Sequence, residues 1–306
     1  MGIVVIGATF VDIKGFPEDA YFPTGRNVGR VEYIHGGVAR NVVEDIANVE
    51  LRPTFLGIVD DTPMGADVLQ KLVNHKVNTD YVLTIPGGMG TWLAVFDNNG
   101  DVAGSISKRP NMLPLVDLLQ EKGDEIFSQA DSVVLEVDLD KEIVKATLDL
   151  AQKHHVKSFA LVSNMNIAAK RRDFLQRFDC FICNQQEAGM LFLDDYTDCT
   201  PEEMRSILAD KVEQANFPAM VVTMGALGAV YAKKDGVSGI CPARKVQVKD
   251  TTGAGDAFCA GVSIGLTYGK TMSEAIEIGS VLAASVITSS ENVCPRFQPA
   301  EFGLDV

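Results

Sequence analysis

Basic residues are scarce in this chain. Its 306 residues carry 27 Lys+Arg against 41 Asp+Glu, a formal charge of −14. A surface that tracks phosphates must cluster Lys and Arg to release counterions, so this balance argues against a nucleic-acid polymer as partner. Six cysteines are too few for a disulfide scaffold. The CxxC at Cys180 and Cys183 lies in a run that reads as a buried strand and lacks a second ligand pair, so small buried hydrophobes are expected there. His154 and His155 are adjacent, and adjacent residues on a helix do not face one point. No uninterrupted apolar run approaches the roughly 18 residues of a membrane helix. The opening Met1-Gly2-Ile3-Val4-Val5-Ile6-Gly7 lacks a basic n-region and has no Ser or Thr at position 6. Neither a secretory signal nor myristoylation is expected, and the expected location is the cytoplasm.

What is present is alternation. Ile3–Ile6 is a β-branched run ending at Gly7, and Val42, Val43, Ile46 and Ala47 recur at helical spacing after Val38. Strands are expected at 31–34, 54–58, 132–136, 158–162, 179–183, 220–223 and 229–232. Helices are expected at 65–73, 141–154, 168–177, 201–214, 254–268 and 273–288. Two runs flank Asp97-Asn98-Asn99-Gly100-Asp101, a hairpin signal at 91–96 and 102–107. The pattern predicts one α/β domain over 1–306. It should be a doubly wound, mainly parallel sheet flanked by helices, with a small β lid from segments near 13–35 and 87–110.

The most informative segment is Asp250-Thr251-Thr252-Gly253-Ala254-Gly255-Asp256-Ala257-Phe258, where a helix begins inside the glycines. A helix N-terminus leaves backbone N–H groups unpaired, and small residues let an anion reach them. An anion hole beside Asp256 suits phosphoryl transfer to an alcohol: amides hold the moving charge and the carboxylate takes the hydroxyl proton. The plain alternative is a glycine-rich cap with a capping Asp. A dinucleotide site is excluded because Gly7-Ala8-Thr9-Phe10-Val11-Asp12 is not GxGxxG.

This DTTGAGDAF segment resembles the signature of the ribokinase-like (PfkB) carbohydrate kinases, and further stretches match that family in order. The resemblance implies the ribokinase-like fold, with Asp256 as catalytic base and Gly253, Ala254 and Gly255 as the anion hole. It implies that Asp12 and Gly36-Gly37-Val38-Ala39-Arg40-Asn41 bind sugar hydroxyls. It also implies that Asn184 and Glu187 of the NxxE stretch organise magnesium-bound water and phosphate. Thr223, Gly225 and Gly228 of the TxGxxG stretch would lie beside the nucleotide. ATP and Mg²⁺ are the implied cofactors, the metal held at Glu187 through water; a monovalent cation such as K⁺ near the loop before Gly253 stays open. The GGVxRN form with Arg40, and Asn111 in Pro110-Asn111-Met112, look most like the pseudouridine kinases of the family. That makes Arg40 and Asn111 candidate substrate contacts and gives a lean to 5′-phosphorylation of pseudouridine. Another furanose sugar or nucleoside, or a non-catalytic sensor on the same fold, stays open. The Ser163-Asn164-Met165-Asn166 stretch departs from the family's Asp-Pro. In the family such lids often pair between subunits, and apolar strand faces around Trp92 and Val95 would suit a homodimer through the lid; no membrane partner is expected.

Overall fold

The computed structural model describes residues 2–305. The chain opens with β1 (Ile3–Ile6), β2 (Phe10–Pro17), β3 (Gly29–Gly36) and α1 (Val38–Asn48). Next come β4 (Thr54–Leu56), β5 (Ile58–Val59), α2 (Pro63–Asn74), β6 (Leu83–Thr84), β7 (Gly90–Phe96) and β8 (Val102–Lys108). Then follow α3 (Pro114–Phe127), β9 (Ser132–Glu136), α4 (Lys141–His154), β10 (Lys157–Leu161), α5 (Met165–Ala168) and α6 (Arg172–Leu175). The last part holds β11 (Cys180–Asn184), α7 (Gln185–Phe192), α8 (Pro201–Ala215), β12 (Ala219–Thr223), β13 (Ala229–Lys233), β14 (Ser238–Cys241), α9 (Ala254–Thr267) and α10 (Met272–Ile287).

Eight strands form the central sheet in the order β14-β13-β12-β11-β10-β9-β1-β4. The six from β12 to β4 run parallel, and β13 and β14 close one side antiparallel. Side chains alternate between faces, which is why the buried strands read as continuous apolar runs. Val4 and Ile6 enter the core under α3, α4, α7 and α8, whereas Ile3 and Val5 enter the core under α1, α2, α9 and α10. Cys180 and Cys183, three apart on β11, fall in opposite cores as free buried thiols, which removes any paired redox or metal role.

The small sheet is larger than a hairpin. It has the order β3-β2-β7-β8, with β7–β8 as the expected hairpin and β2–β3 joined to it through a parallel β2–β7 pair. The expected helix over 168–177 is instead two short helices, α5 and α6, separated by Ala169-Lys170-Arg171. Arg171 spends its guanidinium on the carbonyls of Val137 and Leu139, anchoring that break to the loop after β9. The carboxyl ends of β1, β9, β10, β11 and β12 lie along one edge of the central sheet, where α/β sheets place their ligands.

Candidate active site

At that edge α9 begins. Gly253, its N-cap, has φ 81°, and a Cβ there would sit 2.0 Å from the Asn292 carbonyl oxygen, so only glycine fits. No side chain caps this helix. The Gly255 and Asp256 amides have no hydrogen-bond partner among the described residues, and the space where a Gly255 Cβ would stand is open. These are unspent donors at the positive end of a 14-residue helix, an arrangement that takes an anion.

Asp256 lies in the first turn of α9, half-buried, and its Oδ2 accepts a hydrogen bond from Asn41 Nδ2 at 2.6 Å. Burial pushes its pKa up to about 7; the Asn41 bond and the Arg40 charge pull it down, and the Glu187 charge pushes it up. A carboxyl poised near neutrality is matched to proton abstraction from an alcohol.

Asn41 is held from behind. Its Oδ1 accepts from Arg40 and, at 3.3 Å, from Asn292 Nδ2, so its amide hydrogens are left facing Asp256. Asn41 stands one turn into α1, whose N-cap Gly37 has φ 98° and presses on the Ala8 carbonyl. Arg40 does not face the cleft. It is fully buried and donates to Glu44, to the backbone carbonyls of His35 and Gly36 and to Asn41. Glu44 is in turn paired with Lys71 at 3.2 Å and lies 3.6 Å from His75. Arg40 therefore positions the Gly36-Gly37 backbone and Asn41, and the structure gives it neither the expected substrate contact nor a solvated face.

Asp12 projects from β2 over Gly36: a Cβ on that glycine would meet its carboxylate at 2.8–2.9 Å. Burial raises the Asp12 pKa, against the charges of Lys14 and Arg40. Asp12, Gly36, Gly37, Asn41 and Asp256 are thus brought together. Trp92 is Asp12's register partner on β7 and shares its face of the small sheet, whereas Val95 points to the other face with Leu93 and Ile106.

Asn184 and Thr223 are register partners at the ends of β11 and β12. Asn184 Oδ1 accepts from Glu187 N, and Glu187 Oε2 accepts from Asn184 N, both at 2.8 Å. The NxxE spacing is thus a capping box that starts α7 and leaves Glu187 Oε1 for another partner. Burial and the Asp138 charge both raise the Glu187 pKa. Gly225 (φ 55°) and Gly228 (φ 102°) turn the chain from β12 into β13, and the space beside Gly225 is open. Asn111 lies between Pro110 and Met112, before α3. Its Oδ1 accepts from Leu113 N at 3.2 Å at the approach to α3, while Met112 is buried in the core.

Sequence reasoning missed Glu136 and Asp138, which converge on Ser163. Glu136 ends β9, with Oε2 accepting from Ala8 N at 2.9 Å and Oε1 2.8 Å from Ser163 Oγ. Ser163 Oγ is also 2.7 Å from Asp138 Oδ2, and Ser163 N donates to Asp138 Oδ1 at 2.9 Å. A hydroxyl has one hydrogen, so Ser163 cannot donate to two carboxylates at once. One acid must donate to Ser163, and it is Glu136, whose pKa is pushed to about 8 by burial and by the Asp138 charge. Ser163 thus occupies the place of the family's Asp-Pro as a relay between a neutral and a charged acid. The available signal was Glu136-Val137-Asp138 at the end of an apolar strand.

No group of three or more His, Cys, Asp or Glu among the described residues forms a metal cage. Glu187 Oε1, on a carboxyl whose pKa is raised by burial and then by the Asp138 charge, fits a cation held mainly by nucleotide phosphates and water.

A family model described as pfkB family carbohydrate kinase matches residues 2–294. The chain belongs to the PfkB family of carbohydrate kinases. It is 35% identical over 292 residues to a guanosine-inosine kinase of Exiguobacterium acetylicum, covering 95% of each chain. It is 24% identical over 275 residues to a pseudouridine kinase of Escherichia coli, covering 90% and 86%. Arabidopsis thaliana ribokinase complexed with ribose and ATP superimposes with a TM-score of 0.86 at 19% identity, over 98% and 97% of the two chains. Thermotoga maritima ribokinase gives 0.79 at 19% identity, over 98% of each. The fold is therefore ribokinase-like. This PfkB kinase is an ATP-dependent enzyme that phosphorylates a hydroxyl group of a sugar or nucleoside.

Proposed function

We propose that this kinase phosphorylates the 5′-hydroxyl of a ribonucleoside, with guanosine and inosine as first candidates and pseudouridine as the competing one. The observation that carries the chemistry is Asp256, tied to Asn41 beside the unspent amides of α9. The 35% identity to a guanosine-inosine kinase, against 24% to a pseudouridine kinase, supports the order of candidates.

The sugar lies over Gly36-Gly37, its vicinal hydroxyls donating to Asp12, since one carboxylate accepts from both. The primary hydroxyl faces Asp256, which takes its proton as the γ-phosphoryl group arrives in line. The Gly255 and Asp256 amides receive the charge on the transferring oxygens. The nucleotide extends past Asn184, Glu187, Thr223, Gly225 and Gly228. Mg²⁺ bound with ATP neutralises phosphate charge, with Glu187 meeting its water shell. The small sheet closes over the sugar and keeps water from the phosphoryl group.

The outward face of the small sheet supports pairing of two copies. Ile106 is 70% and Tyr33 61% exposed, beside Val31 and Leu93, which gives this face of the sheet an exposed apolar surface.

The test is ADP release with Mg-ATP across guanosine, inosine, pseudouridine, adenosine, ribose and fructose. Guanosine or inosine giving the highest kcat/KM is the expected result. A free sugar outranking every nucleoside overturns the reading.

A further inference from the structure

Beside the sugar site lies a cavity of about 300 Å³ that the phosphoryl chemistry does not use. Phe10, Met112 and Ile167 give it an apolar side, and the rest of its lining is largely charged, with Asp138, Arg109 and Ser163 set together. It adjoins the Gly36-Gly37 turn, because Ala8 and Phe10 line it and a Cβ on Gly37 would meet the Ala8–Phe10 backbone. An apolar surface beside convergent hydrogen-bonding groups suits a heterocyclic ring. The site is built. Asp138 is 94% buried by its 6% exposure, fixed through Oδ1 by Ser163 N and through Oδ2 by Ser163 Oγ. Arg109 Nη2 stands 3.6 Å from Asp138 Oδ2, and Arg109 is bound to no other side chain among the described residues, so its remaining N–H groups are free to donate. The other guanidinium in the wall, Arg171, is already committed to the Val137 and Leu139 carbonyls.

Taking the nucleoside reading above as given, we propose that this cavity receives the base and that Asp138 and Arg109 together select a lactam edge. A lactam presents an N–H beside a C=O: N1–H and O6 in guanine and hypoxanthine, N3–H and O4 in uracil. Asp138, an acceptor, takes the N–H, and Arg109, a donor, takes the carbonyl. Adenine and cytosine present an amidine, in which the same two positions carry an amino group and a bare ring nitrogen. Donor and acceptor are then exchanged, so the amino group meets Arg109 and the ring lone pair meets Asp138. A site built to bond one edge rejects the other, because its buried polar groups are left unpaired.

Inosine and adenosine differ only at this edge, so their kcat/KM ratio is the readout. The parent is expected to favour inosine at least tenfold. Asp138→Asn, whose oxygen stays on Ser163 N so that its amide presents a donor where the parent has an acceptor, is expected to bring the ratio to within about twofold of unity or below, with the KM for ATP unchanged. Arg109 is half-exposed and its loss does not threaten the fold, so Arg109→Gln gives the same reading if Asp138→Asn does not fold. Guanosine against pseudouridine and uridine, in the same assay, shows whether the lactam is a purine's or a pyrimidine's. A parent that takes adenosine as well as inosine overturns the proposal, as does an unchanged ratio in both variants. Ribose turnover with no nucleoside turnover instead overturns the nucleoside reading on which it rests.

Discussion

Asn41 Nδ2 donates to Asp256 Oδ2 at 2.6 Å, joining residues 215 apart in sequence. The bond aims the carboxylate and leaves its second oxygen free for a proton. Replacing Asp256 by Asn keeps a side chain of the same shape there but removes the base. A positioned general base is worth about 10²–10⁴ in rate. Asp256→Asn is expected to lower kcat by that factor while the nucleoside Kd, measured calorimetrically, moves by no more than a few-fold. A kcat within tenfold of the parent would remove Asp256 from the mechanism.

The pH profile follows from the same carboxyl. Burial holds Asp256 up at about 7, so below that pH it is protonated and cannot accept. The sign is fixed: kcat/KM should fall about tenfold per unit below pH 7 and level off above it. The Asn41 bond lowers this pKa, so Asn41→Leu should move the limb to higher pH as well as reducing the rate. A profile flat from pH 5.5 to 8.5 would mean that another group takes the proton.

The succession of strands and helices and the order of the motifs were legible because they rest on local signals: apolar runs, glycine turns and a hairpin tip. β2 escaped because Phe10–Pro17 is half-buried and interrupted by Gly15, and β14 because Ser238–Cys241 has only Ile240 as a branched apolar residue. Within the site, the glycines and Asp256 were readable because each answers a backbone requirement or a charge. Arg40 was misread as a ligand contact because sequence gives no sign of the buried Glu44 and the His35 and Gly36 carbonyls that receive it. The Asn111 spacing is equally compatible with a local turn, which is what its bond to Leu113 N makes. Glu136 and Asp138 gain their meaning only from Ser163, 25 or more residues away.

Two glycines of one loop separate fold from chemistry. Gly253→Ala forces a β-carbon onto the Asn292 carbonyl at φ 81°, so the loop must move; a stability loss of about 1–3 kcal/mol is expected together with loss of activity. Gly255→Ala meets no protein atom and should unfold at the parent's urea midpoint, yet its methyl stands where the phosphoryl oxygens approach the amides. Its kcat is expected to fall at least tenfold. Full activity in Gly255→Ala would place the anion elsewhere.

Pairing through the small sheet is checked by Ile106→Glu. Ile106 stands out from β8 on the face opposite Asp12, so the change should leave the fold untouched. Sedimentation is expected to give a dimer for the parent at micromolar concentration and a monomer for the variant. A monomeric parent removes the pairing.

Glu136 offers a stability test independent of turnover. In the fold it is held protonated up to about pH 8, donating to Ser163, whereas in the unfolded chain it ionises near 4.5. The folded state therefore binds the extra proton, and the stability this confers is complete below about pH 4.5 and is lost as pH rises towards 8. Glu136→Gln copies the neutral acid: its oxygen accepts from Ala8 N, its amide donates to Ser163, and it has nothing to titrate. Urea unfolding of both proteins from pH 5 to 9 is expected to show the variant gaining on the parent by about 1.4 kcal/mol per pH unit, until the difference levels off near pH 8. Asp256 and the other shifted acids titrate alike in both proteins and cancel in the difference. A constant difference across the range would mean that Glu136 is already charged at pH 5 and that Ser163 is shared in some other way.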